Sequence, residues 1–223
     1  MNRADRVVEK ETSNKNIKYD IQLTQEQKDA KGLILSKPFN FILGKAGSGK
    51  TLLSCAIALD MLFKKNIEHI IITRPTVSTE DNGFLPGSLE EKMDPWLVPI
   101  YSNFLKIYNK KERIDKMKQE GQIELVSLTH FRGRTFDNAI CIVDEFQNLT
   151  KSQLLMVLGR LGKNSSMYLT GDPDQIDLKY TNDSAYHCIE KLTKSQYVNK
   201  IVLKDNHRHP ALDEVLSLLM EKY

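Results

Sequence analysis

The stretch Gly44-Lys45-Ala46-Gly47-Ser48-Gly49-Lys50-Thr51 narrows the folds open to this chain more than any other. It satisfies G-x-x-x-x-G-K-[ST] and lies between an apolar run, FNFIL, and a helical one, TLLSCAIALDML. Glycines let such a loop turn its backbone N–H groups inward around a phosphate, and the helix that follows adds partial positive charge. In that setting Lys50 reaches the β- and γ-phosphates of a nucleotide, and Thr51 offers its hydroxyl to Mg²⁺. A loop of this kind needs a buried strand before it and a helix after it.

The rest of the chain supplies both in repetition. Short β-rich runs occur at 39–43, 69–73, 123–128, 139–143, 167–170 and 200–203, most of them continuously apolar, and the longer stretches between them have helical spacing. Continuous apolar runs suit strands buried on both faces, so the pattern predicts an α/β fold with a mostly parallel sheet flanked by helices. Two helix starts are marked by capping boxes, one beginning at Ser88 with Glu91 in third place, the other at Thr150 with Gln153. Between about 84 and 121 the sequence is helical in pattern and punctuated by Pro86, Pro95 and Pro99, which reads as a helical insertion at the rim of the sheet. Residues 1–20 are polar and aperiodic and are expected to form a tail outside the core. With 223 residues and 40% hydrophobic content, 21–223 suffices for one well-buried domain.

Two further strings carry chemistry. The apolar run 139–143 ends in Asp144-Glu145. Carboxylates at the C-terminal end of a strand lie where α/β sheets bind ligands. Asp144 would then hold the Mg²⁺ shell, and Glu145 would orient and deprotonate an attacking water. Adjacent acids after a strand are also an ordinary solvated strand end, and the phosphate loop upstream is what favours the chemical reading. The second string, Leu169-Thr170-Gly171-Asp172-Pro173-Asp174-Gln175, runs from a short strand into a turn, and Gln175 can reach a γ-phosphate or its attacking water. In isolation it would be a Gly-Asp-Pro turn; its place after the other two motifs makes it informative.

GKAGSGKT, DEFQN and GDPDQ, in that order, resemble the ATPase motifs of superfamily-1 helicases. More narrowly, IITRPTV at 71–77, GFLPGSLEEKMDPW at 83–96, FRGRT at 131–135 and NHRHP at 206–210 resemble the PhoH-like ATPase family, and the likeness runs from about Thr24 to the last residue. One departure is Phe146, where the family usually has a small residue, and altered packing beside Glu145 is expected there. The resemblance implies a RecA-like P-loop NTPase that uses ATP and Mg²⁺. It also implies that Gln27 reads adenine, since a Gln amide can both donate to and accept from the N6 and N7 edge. Arg208 and Arg134 are the two candidates for a guanidinium at the γ-phosphate, and either is equally able to form a structural ion pair. The family further implies a homo-oligomer, a hexameric ring in which a neighbour completes the ATP site. The N-terminal nuclease domain of some relatives is not expected.

Nucleic acid, RNA above all, is the leading partner, with Thr73, Arg74, Thr129 and Arg132 facing the strand. An ATP-switched assembly or stress protein that moves no nucleic acid is the alternative, and a small-molecule kinase is disfavoured by GDPDQ and Gln27. A net charge of +3 neither demands nor excludes nucleic acid. The basic run at 106–118 reads as a footprint or as a solvated helix face. Three scattered cysteines, Cys55, Cys141 and Cys188, argue against a disulfide framework or zinc cluster. With no signal-like or membrane-spanning apolar run, a cytoplasmic location is expected and no membrane partner.

Overall fold

The computed structural model describes residues 21–75 and 89–207 and positions 211, 215 and 218, with the side chains of 89–97 excepted. The expected tail over 1–20, the capping box at Ser88 and the candidate Arg208 lie outside the described residues.

Six strands form one sheet: β1 (Phe39–Gly44), β2 (His69–Thr73), β3 (Ile123–Leu125), β4 (Ala139–Val143), β5 (Ser166–Gly171) and β6 (Val198–Leu203). Their order is β3-β2-β4-β5-β1-β6, and every pairing is parallel. The helices are α1 (Gln25–Ile34), α2 (Lys50–Phe63), α3 (Leu89–Ile107), α4 (Lys111–Gln119), α5 (Leu128–Phe131), α6 (Lys151–Leu158) and α7 (Ile189–Leu192). Parallel neighbours need crossover connections, and the helices provide them.

Two cores explain why the strands read as unbroken apolar runs. Ile42, Ile70, Ile72, Ile140, Ile142 and Tyr168 face a core shared with α1 to α4. Their sequence neighbours Phe41, Leu43, Ile71, Cys141, Val143 and Leu169 face the other, shared with α6. Alternate residues of one strand thus enter opposite layers, and both layers are apolar. Edge strand β6 differs, since its Lys200 and Val202 are exposed while Ile201 and Leu203 are buried.

The run expected over 123–128 is corrected. Strand β3 stops at Leu125, and Ser127 caps α5 by accepting from the backbone N–H of His130. A serine in an extended conformation with its hydroxyl turned onto the following amides ends a strand and starts a helix. The Thr150 capping box forms as read, and a second one precedes α1, where Thr24 and Gln27 satisfy each other's backbone donors.

Helices α3 and α4 follow β2. Helix α3 buries Ile100, Phe104 and Ile107 in the same core as Leu59 and Leu62 of α2, and Tyr108 meets the Phe63 ring edge-on at 5.1 Å. This packing sets α3 beside the helix that carries the phosphate loop. Among the described residues no helix is long and apolar enough to cross a membrane.

Candidate active site

The register of the sheet brings the motifs to one level. Thr73 pairs with Val143, Val143 with Leu169, and Leu43 with Gly171. The residues just beyond, Arg74, Asp144 and Gly44, therefore emerge together at the C-terminal edge, with the end of β5 between the phosphate loop and Asp144. Binding crevices of open α/β sheets lie at this edge.

The loop from Gly44 to Thr51 is built as its sequence requires. Gly47 and Gly49 have φ of 92° and 80°, a region open to glycine at no steric cost. Gly49 precedes α2 without any side-chain cap, and the first turn of α2 has no acidic residue, so its amide dipoles face the loop's concavity unscreened. Lys50 is buried, and its ammonium donates to the carbonyls of Gly44 at 2.6 Å and Lys45 at 3.0 Å. Buried Ser48 keeps its hydroxyl without a hydrogen-bond partner.

Asp144 is the hub. The hydroxyls of Thr51 and Thr170 both donate to its Oδ1, at 2.7 and 2.6 Å. Hydrogen bonds to a charged acceptor contribute roughly 1.5–3 kcal/mol each. Among the described residues no three His, Cys, Asp or Glu converge on one point as a ready-made metal cage. The oxygen donors of Thr51 and Asp144 do suit Mg²⁺, which takes few protein ligands and completes its shell with phosphate and water.

Glu145 has a left-handed backbone, φ 54° and ψ 41°, which costs a non-glycine residue about 1–2 kcal/mol. Burial, and then the charge of Asp144, raise its carboxyl above the usual range, while Gln147, Arg74 and Lys50 oppose the shift. Gln147 is fully buried and binds in three directions. Its Nε2 donates to Glu145 Oε2 at 2.8 Å and to the Gln175 carbonyl at 2.9 Å, and its Oε1 accepts from the Asp172 amide at 3.3 Å. Asn148 and Asp177 add a second tie between the same segments. The backbone of the Gln175 turn is thereby fastened to the acid pair, and Gln175 lines the cleft.

Phe146, expected from sequence to alter the packing beside Glu145, is fully buried and meets Phe41 edge-on at 5.3 Å. It rests on Gly171, where an added Cβ would lie 2.6 Å from Gln147 Oε1 and 2.7 Å from the Phe146 ring. Gly171→Ala is therefore expected to destabilise the protein by roughly 1–3 kcal/mol, read as a lower midpoint in urea with an unchanged slope.

A cleft of about 720 Å³ opens above the loop, lined by Gln27, Gly47, Lys50, Thr51, Glu145 and Gln175 among others. Gln27 is buried. Its Oε1 accepts from the Thr24 amide, and its Nε2 lies 3.5 Å from His207 Nε2. The expectation from sequence gives its amide wholly to adenine, whereas here the acceptor end also caps α1. His207 donates its backbone N–H to the Gly47 carbonyl and joins the wall, as do Asn103 and Lys106 of α3. None of these three stands out in the sequence as a cleft residue. Lys106 reads only as the start of a basic run, and nothing local reveals that α3 packs beside α2. Thr170 is likewise unassigned by the motif reading, though a hydroxyl near the end of an apolar strand is its signal.

Thr73 and Arg74 are placed otherwise than expected. Thr73 is fully buried with an unpartnered hydroxyl, so it does not face a nucleic-acid strand. Arg74 turns toward the acid pair, 3.8 Å from Asp144 Oδ2 and 3.8 Å from Glu145 Oε1. Thr129 and Arg132 lie at α5, and both are exposed. Arg134 pairs with Glu124 of edge strand β3 at 2.8 Å and lies over the Phe136 ring, outside the cleft of its own chain.

The comparisons with known proteins agree with this architecture. The family model described as PhoH-like protein matches residues 21–220. A PhoH-like protein of Synechocystis sp. is 39% identical over 183 residues, 79% of this chain and 55% of that protein. The chain spans about half the length of the curated relatives it matches. Among solved structures, the large terminase of a thermophilic bacteriophage aligns with a TM-score of 0.56 at 10% identity, covering 91% of this chain and 51% of that one. The Sulfolobus solfataricus SWI2/SNF2 ATPase core in complex with dsDNA aligns at 0.51 with 13% identity, covering 82% and 45%. At such identities these likenesses speak for the fold alone, a RecA-like fold. The chain belongs to the PhoH-like family.

Proposed function

We propose that this chain binds ATP with Mg²⁺ and hydrolyses it, and that the cycle acts on single-stranded nucleic acid. The observation that carries the reading is the convergence of Thr51 and Thr170 on Asp144 at the lip of the phosphate loop, with Glu145 held beside them. Lys50 sits within the loop and neutralises β- and γ-phosphate charge. Thr51 and Asp144 would hold Mg²⁺, and the ion would supply Lewis-acid neutralisation of phosphate charge there. Glu145 takes the proton of the attacking water, and the Gln175 side chain, on a turn tied to Glu145 through Gln147, orients that water. Gln27 and His207 form the wall at the base end, which favours adenine through the Gln27 amide.

The cleft is open to solvent, since Gln175 on its wall is exposed, as is Lys45 of the phosphate loop. In an open site charge stabilisation is weak, and a neighbouring copy that covers it would strengthen every contact inside. Assembly into a ring supplies that wall, and Arg134 would then serve the site of an adjacent subunit. Thr129 and Arg132 at α5 are the residues proposed to meet nucleic acid.

The experiment is ATP hydrolysis by the full chain with and without single-stranded RNA and DNA. Stimulation by one of them, weaker with Arg132→Ala, is the expected result. Turnover that ignores both would mean that ATP drives an assembly switch.

A further inference from the structure

We infer that Arg74 is a positioning residue of the hydrolytic centre, whose guanidinium bridges Asp144 and Glu145 and holds the Glu145 carboxylate at the cleft. The inference rests on the hydrolytic reading above. Of the three arginines considered, Arg134 is engaged by Glu124 outside the cleft and Arg208 lies outside the described residues. Arg74 alone of the three is seen against the acid pair, its Nη1 and Nη2 each 3.8 Å from a different carboxylate.

Three features give this placement a purpose. First, it is fixed by backbone. Arg74 follows Thr73, which pairs with Val143, and the Asp144 amide donates to the Thr73 carbonyl at 2.9 Å, so the side chains of 74 and 144 start from adjacent strand ends. Second, adjacent carboxylates repel, and Asp144 is fixed by two hydroxyls on Oδ1, so Glu145 is the partner free to swing away. Gln147 tethers its Oε2. Without a cation near Oε1, only that tether and the charge of Lys50 remain to oppose rotation. Third, the left-handed backbone of Glu145 has to be held against its own strain, and a bridge to a neighbouring strand does so. Arg74 is a quarter exposed and is absent from the cleft wall, so it acts through Glu145 rather than on the nucleotide. A planar guanidinium spans two carboxylates, which an ammonium does with less geometric control.

The test is single-turnover hydrolysis of Mg·ATP together with ATP affinity, for Arg74→Ala and Arg74→Lys, each in the wild-type and Glu145→Gln backgrounds. A misplaced base lowers the rate by about 10–100-fold and leaves ground-state binding alone. Arg74→Ala is therefore expected to show that loss at unchanged affinity, Arg74→Lys to recover part of it, and neither substitution to slow the Glu145→Gln protein further. Equal losses in both backgrounds, parallel loss of affinity, or an unchanged rate would each overturn the inference. If Glu145→Gln alone hydrolyses like the wild type, the hydrolytic reading itself fails, and that single variant reveals it.

Discussion

Replacing Lys50 by alanine is expected to remove ATP hydrolysis and to weaken ATP binding together. The ammonium is buried at the centre of the loop, where it donates to the Gly44 and Lys45 carbonyls. A nucleotide entering the loop exchanges those carbonyls for β- and γ-phosphate oxygens, and with alanine the same phosphates meet only backbone amides. Loss of one preorganised donor to developing charge costs roughly 10²–10³-fold in turnover, and a full charge facing two phosphates lies at the upper end of that range. The Gly44 carbonyl, bonded to the side chain in the native protein, would be left to water. Titration with a fluorescent ATP analogue beside a phosphate-release assay reads both effects, and near-normal release would remove the nucleotide site from this loop.

Glu145→Gln separates the two effects. Thr51, Thr170 and Asp144 are untouched, and the Gln oxygen can still accept from Gln147, so affinity for Mg·ATP should persist. What is lost is the proton acceptor, with a fall in turnover of roughly 10²–10⁴-fold. The sign of a second effect follows from burial. Because the Glu145 carboxyl is raised above its ordinary range, the folded state binds its proton more readily than the unfolded chain. This group therefore detracts from stability above the folded value, and the deficit shrinks as pH falls toward the unfolded one. The Gln variant, carrying no charge there, should melt at or above the wild-type temperature near neutral pH.

Legibility from sequence follows the range of the interactions. The strands and the phosphate loop are readable because their signals are local: apolar runs buried on both faces, and a glycine pattern before a helix. Asp144 and Glu145 are readable as acids at a strand end. Their surroundings are not, because Thr170 and Arg74 come from β5 and the end of β2, and only the strand order β2-β4-β5 makes them neighbours of Asp144. The same holds for Asn103 and Lys106, whose place depends on α3 packing against α2. Arg74 and Thr73 are misread from sequence because a strand-end motif does not disclose whether its side chains turn outward or toward the next strand. The stop of β3 at Leu125 is hidden for a local reason: Ser127 is a helix cap that the apolar residues around it conceal.

Phosphate release from ATP by the purified chain, at high protein concentration and with single-stranded RNA present, tests the central claim most directly when the same sample is carried through EDTA and back into excess Mg²⁺. The account predicts turnover that saturates with ATP, stops with chelation and returns with Mg²⁺. Absence of release throughout, from protein shown in the same buffer to bind ATP, would contradict it.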